Sequence, residues 1–132
     1  MKKLTLKQIT EKIKEIDFPK FDLIIAIERD GIMPASLLKH FLNIPVKVIW
    51  LNYRDENNKP IKKEPILVKP LDKELKTIKN KNLLIVHTIS KTGKTLNKAK
   101  EIFKDNKTKT FVINGKADYS LFNFKECIEW PW

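Results

Sequence analysis

Leu83-Leu84-Ile85-Val86-His87-Thr88-Ile89-Ser90-Lys91-Thr92-Gly93-Lys94-Thr95-Leu96 is the stretch on which the fold turns. Its first four residues form an unbroken apolar run of strand length, the kind that a parallel sheet buried on both faces requires. A small, hydroxyl-rich turn from His87 to Lys94 comes next, and the spacing then predicts a helix over 92–104. This order brings backbone amides to a helix N-terminus, where they can cradle a phosphate. The phosphate-binding candidates are Lys91, Thr92, Gly93, Lys94 and Thr95. The plainer reading is that Thr92 caps the helix and Gly93 relieves a tight turn. A position at the carboxyl end of a sheet strand raises the ligand reading above it. A Walker A loop fits poorly: it wants a Gly five residues before Gly93, where Thr88 stands, and no strand-end Asp for magnesium appears later.

On either side of this stretch the same alternation recurs. Thr5 can cap a helix carrying Leu6, Ile9, Ile13 and Ile16 on one face, ending before Asp17. Leu23 to Ile27 reads as a strand, Arg29-Asp30-Gly31 as a turn, and Pro34 suits the first turn of a helix through Phe41. Val46 to Trp50 gives another strand, and residues 53–65 a long polar loop. Ile66 to Val68, a short helical turn near Leu71 to Ile78, and the strand Phe111 to Ile113 complete the pattern. The aromatic tail from Tyr119 to Trp132 can close over the sheet edge. Strands alternating with helices imply an α/β parallel sheet covered on both faces, with ligands at the carboxyl strand ends.

With 132 residues, 42% of them apolar, the chain is expected to form a single domain over 1–132. No apolar run is long enough to span a bilayer, and an amphipathic stretch succeeds the basic start, so a soluble cytoplasmic protein with no membrane partner is expected. Cys127 with only His40 and His87 makes no zinc ligand set, and no metal site is expected. The net charge of +11 invites a nucleic-acid reading. Yet of the 27 basic residues all but Arg29 and Arg54 are Lys, scattered through the chain, whereas base reading favours Arg forks. Nucleic acid is therefore not the expected partner. The charge would steer small anions.

Leu83 to Leu96 resembles the phosphate-binding motif of the type I phosphoribosyltransferases, in particular the small hypoxanthine and xanthine-guanine enzymes. Three further stretches agree. Ile25 to Ala35 looks like the pyrophosphate loop, with Arg29, Asp30 and Gly31 at its centre. Lys116 stands where the family has a lysine for the purine's exocyclic oxygen, and Ile128-Glu129-Trp130-Pro131-Trp132 resembles the purine-site ending. Segment 53–65 falls where the family has its mobile hood loop. The resemblance implies a Rossmann-like parallel sheet flanked by helices and a small phosphorylated ligand, a nucleotide or phosphoribosyl pyrophosphate. It implies Lys116, Cys127 and Ile128 at the purine, and allows a homo-oligomer.

The departures bear on activity. Where the family has two acids at the ribose and a third in the phosphate loop, this sequence has His87, Thr88 and Lys91. The transfer passes through an oxocarbenium-like state that needs nearby negative charge, so this exchange acts against it. His87 and Thr88 can still hydrogen-bond hydroxyls, at roughly half the strength of charge-assisted contacts. Asp30 replaces a family Gly, and Cys127 an aromatic that stacks on the base. The expectation is a family member that binds a phosphoribosyl or purine nucleotide ligand with weak or lost transferase activity. One alternative is an active purine salvage enzyme in which Asp30, Asp118, Asp55 or Glu56 supply the acids; magnesium enters only there. Another is a non-catalytic regulatory or nucleic-acid-binding module.

Overall fold

The apolar run at 23–27 becomes the middle of a six-stranded sheet. The computed structural model describes residues 1–52 and 65–132. In chain order the elements are β1 (Lys2–Lys3), α1 (Leu6–Lys14), β2 (Leu23–Glu28), α2 (Ile32–Leu42), β3 (Val46–Asn52) and β4 (Ile66–Leu67). Then come α3 (Lys73–Thr77), β5 (Asn82–Ser90), α4 (Lys94–Ile102), β6 (Lys107–Gly115), β7 (Tyr119–Phe122) and β8 (Ile128–Glu129). The sheet order is β4-β3-β2-β5-β6-β7, and only β4 runs antiparallel to its neighbour. The expected strands at 23–27, 46–50, 83–86 and 111–113 are thus the four inner strands of one sheet. A small parallel pair, β1 with β8, stands apart from it.

Pleat alternation sorts the core into two layers. Ile24, Ala26, Leu84, Val86, Phe111 and Ile113 face one way, against Ile9 and Ile13 of α1 and Ala35 and Leu38 of α2. Leu23, Ile25, Ile27, Leu83, Ile85 and Val112 face the other, against Leu75 of α3 and Leu96 and Ala99 of α4. Ile24, Ile25, Leu84 and Ile85 are fully buried, each contributing about 1.5–3 kcal/mol of transfer free energy. Thr5 caps α1 in a reciprocal box: its hydroxyl accepts the Gln8 N–H at 3.1 Å, and the Gln8 side-chain Oε1 accepts the Thr5 N–H at 2.8 Å. Leu6, expected on the buried face, is 48% exposed.

Three elements differ from the sequence expectation. β5 does not stop at Val86 but stays paired to β6 through Ser90. The helix expected over 92–104 begins only at Lys94, because Gly93 takes a left-handed φ of 81°. The tail adds a strand: β7 pairs parallel with β6 after a short return. Just beyond β7 the Asn114 amide pins the chain, accepting the Phe124 N–H at 2.7 Å and donating to its carbonyl at 3.0 Å. Except for Pro65, the segment 53–65 read as a hood loop lies outside the described residues, as do Asp55 and Glu56. No helix among the described residues is long and apolar enough to cross a membrane.

Candidate functional site

β2 is the strand at which the chain reverses direction across the sheet: β3 lies on one side of it and β5 on the other. Such a switch point opens a crevice at the carboxyl ends of the two strands. β2 ends at Glu28 and β5 at Ser90, and each leads through a tight turn into a helix. A polar hollow of about 370 Å³ lined by Asn80, Asn82, Lys104, Asp105, Asn106 and Lys107 sits at the opposite, amino end of β5 and β6.

The turn after β5 contains Lys91, Thr92 and Gly93. Thr92 does not cap α4, as its sequence position suggests. The N-cap is Gly93, which has no side chain to offer, and the Thr92 hydroxyl accepts only the Lys94 N–H at 3.4 Å. The amides of Thr92, Gly93, Thr95 and Leu96 make no hydrogen bond among the described residues. These donors stand at the positive end of a nine-residue helix, with the exposed Lys91 beside them. The five residues read from the sequence as a phosphate cradle are thereby brought together.

The turn after β2 is built differently. Arg29 and Asp30 are exposed and Gly31 is buried. Asp30 adopts φ 73°, which Asp tolerates better than most residues. The half-buried Glu28 folds its carboxylate back over the turn, accepting the Asp30 N–H at 3.2 Å and the Ile32 N–H at 3.2 Å. The Gly31 N–H donates to the Ile27 carbonyl at 2.9 Å, and the Met33 N–H to the Asp30 carbonyl at 3.3 Å. Arg29, for which pairing with Glu28 or Asp30 is the simplest sequence reading, makes no ion pair among the described residues.

His87 and Thr88 lie between the two turns, on β5 itself rather than in a loop. The His87 Nδ1–H donates to the Ile89 carbonyl at 2.9 Å, which leaves Nε2 as the acceptor of the neutral ring. Burial pushes its pKa below the usual histidine value; the Ile89 carbonyl, the Asp30 charge and the Arg29 carbonyl pull the other way without reversing the shift. Thr88 is buried, and its hydroxyl donates to the Asp30 carbonyl at 3.1 Å, tying one turn to the other. Both residues read from the resemblance as the ribose position thus bond to backbone. Next to them the Ser90 hydroxyl is buried without a partner among the described residues, a feature no sequence signal marked.

Lys116 comes to the same edge: it is exposed at the end of β6, its N–H donating to the Ser90 carbonyl at 3.3 Å. Ile128 is half-buried against the core and pairs with Lys2, while Cys127 is exposed, its carbonyl accepting the Lys2 N–H at 2.8 Å. Asp118, one of the candidate replacement acids, is engaged elsewhere. Its carboxylate accepts the Thr110 N–H at 2.9 Å and the Thr110 hydroxyl at 3.0 Å, well back along β6. Magnesium prefers one or two carboxylates together with phosphate oxygens. His87 and Thr88 present an imidazole and a committed hydroxyl instead, a donor set that does not fit that ion.

A doubly wound sheet with two helix-starting turns at its switch point is the architecture of α/β proteins that handle phosphorylated ligands. This chain belongs to the phosphoribosyl transferase domain family, whose model matches residues 2–114. The crystal structure of a purine phosphoribosyltransferase from Pyrococcus horikoshii is 29% identical, covering 99% of this chain and 93% of that one, with a TM-score of 0.80. A hypothetical protein from Neisseria gonorrhoeae, crystallised with bound ppGpp, is 26% identical over 99% of this chain and 89% of its own, with a TM-score of 0.73. A hypoxanthine phosphoribosyltransferase from Staphylococcus aureus shares the fold at 20% identity, covering 92% of this chain and 75% of that one, with a TM-score of 0.70. No curated protein matches the chain.

Proposed function

We propose that this family member binds a purine nucleotide or related phosphoribosyl ligand through the turn after β5, and that its transferase activity is weak or lost. The observation that carries this reading is the pairing of the Thr92, Gly93, Thr95 and Leu96 amides, which make no hydrogen bond among the described residues, with a ribose position occupied by His87 and Thr88, both held by backbone. An anion at the cradle needs neither carboxylate nor magnesium: the amides, the Thr92 and Thr95 hydroxyls and the helix end supply the attraction, and Lys91 adds to it. The transfer step needs what this position lacks, since neither a neutral imidazole nor a hydroxyl offsets positive charge developing at the ribose carbon. The Pyrococcus enzyme and the ppGpp-bound Neisseria protein supply the ligand class, a purine carrying phosphate.

Calorimetry with GMP, IMP and inorganic phosphate tests the binding half. Binding is expected to be unchanged by magnesium and weakened by salt. Gly93→Val, which forces a β-branched residue into the left-handed region, is expected to remove it. If that variant remains folded by circular dichroism and binds as tightly as the wild type, the turn is only a helix start and the reading fails. For the catalytic half, transfer from phosphoribosyl pyrophosphate to hypoxanthine, guanine or xanthine is expected to be absent or very slow. Partial recovery in His87→Asp with Thr88→Asp supports the reading, and robust turnover by the wild type overturns it.

A further inference from the structure

The two turns at the crevice stand side by side, joined by the Thr88 hydroxyl on the Asp30 carbonyl, yet their donors are in opposite states. At α4 the amides of Thr92, Gly93, Thr95 and Leu96 make no hydrogen bond among the described residues. At α2 every N–H from Asp30 to Met33 is engaged, two of them by the oxygens of one side chain, Glu28. We propose that Glu28 is a built-in anion holding the α2 turn closed, so that the site selects nucleoside monophosphates over ligands with a second phosphorylated position, such as phosphoribosyl pyrophosphate. This rests on the reading of the α4 turn as the phosphate cradle.

Carboxylate and phosphate compete for the same donors. A carboxylate bonded to two amides at the positive end of a helix holds the place that a phosphoryl group would take there, with the same charge-assisted contacts. A second phosphoryl group reaching from the α4 cradle must displace that carboxylate and then lie beside it, with the charge of Asp30 added in the same turn. Arg29 is the single cation of this turn, against two carboxylates. The sequence also shows why the arrangement is self-sufficient. The α2 helix starts at a glycine N-cap with no side-chain capping bond, so its first amides need an acceptor from elsewhere. Glu28 lies at an even position of β2, on the same side of the pleat as Ile24 and Ala26, which pack in the α2 layer.

The experiment titrates the full chain by calorimetry, in the presence of magnesium, with inorganic phosphate, inorganic pyrophosphate, GMP and phosphoribosyl pyrophosphate. It compares the wild type with Glu28→Ala and Glu28→Gln. The wild type is expected to bind GMP at least about tenfold more tightly than phosphoribosyl pyrophosphate. Both variants are expected to gain about tenfold or more in affinity for pyrophosphate and phosphoribosyl pyrophosphate, with GMP unchanged within about twofold. A purely structural cap would lower the melting temperature without this gain. Equal wild-type affinity for GMP and phosphoribosyl pyrophosphate overturns the proposal, as does unchanged pyrophosphate affinity in folded variants. Pyrophosphate binding that appears in the variants while no form binds GMP or phosphate keeps the assignment of Glu28 and overturns the α4 cradle. Binding of nothing by any form overturns both. Glu28→Gln keeps the side-chain volume where the alanine variant fails to fold, and the wild-type comparison decides on its own if neither variant folds.

Discussion

The turn after β2 and the turn after β5 each carry one glycine into the start of a helix, for different reasons. Gly31 has an ordinary helical φ of −65°, but a Cβ there would collide with the Ile27 carbonyl and its neighbouring backbone atoms. Gly93 has open space around it among the described residues, the nearest atom to a Cβ being Asn97 Nδ2 at 3.7 Å, but its φ of 81° is one that side-chain-bearing residues rarely adopt. One turn is closed by packing and by its own carboxylate, while the other is shaped by a backbone conformation and keeps the Thr92, Gly93, Thr95 and Leu96 amides unbonded among the described residues. Sheet position alone therefore does not make an anion site: what matters is whether the amides at that position already have partners.

The largest expected effect separates the two glycines. Gly31→Ala forces backbone to move and should cost about 3 kcal/mol in urea unfolding, whereas Gly93→Ala pays only for the left-handed conformation, about 1 kcal/mol. Equal costs would break the distinction between packing and conformation. Next comes the tie between the turns. Thr88→Val keeps the shape, removes the hydroxyl and leaves the Asp30 carbonyl without that donor; a loss of about 1 kcal/mol is expected. No loss would mean that the turns hold their positions independently. The smallest effect is read through pH. Because the folded pKa of His87 lies below its ordinary value of 6.5, the unfolded chain takes up the proton first as pH falls. Stability is then full above about pH 6.5 and is lost as pH drops from there through the folded pKa, by at most about 1.4 kcal/mol per pH unit. Melting curves of the wild type between pH 7 and 5 should fall more steeply than those of His87→Gln, and parallel curves would place no charge-sensitive burial between the turns.

Much of the fold was legible because parallel strands buried on both faces leave a plain mark: Leu23 to Ile27 and Leu83 to Val86 are continuous apolar runs, and their order implies the sheet. The end of β5 was not legible, since His87, Thr88 and Ser90 break the run while the backbone ladder continues beneath them. Side-chain polarity reports burial, and here burial and pairing part company. At the site, Gly93 announced its left-handed turn by residue type. Glu28 did not announce its role, because a carboxylate beside Arg29 reads as half of an ion pair. A signal was present: α2 begins with no Ser, Thr, Asp or Asn at its N-cap, and a helix without a polar cap needs its acceptor from somewhere. Asp118 shows the converse, an acid near the right strand in sequence whose carboxylate is bonded to Thr110.

The extension of β5 to Ser90 carries the pleat of the core out into the crevice. Thr88 and Ser90 continue the series of Leu84 and Val86 on the α2 side, and His87 and Ile89 that of Leu83 and Ile85 on the α4 side. The crevice is therefore in phase with the core. A single residue inserted or deleted between Leu83 and His87 would either send core leucines and valines to the wrong layer or exchange His87 with Thr88 across the sheet. Chemistry at this edge can change by substitution of the side chains at 87, 88 and 91, but hardly by a shift in length. The strand sets a reading frame that the hydrophobic interior enforces on the site.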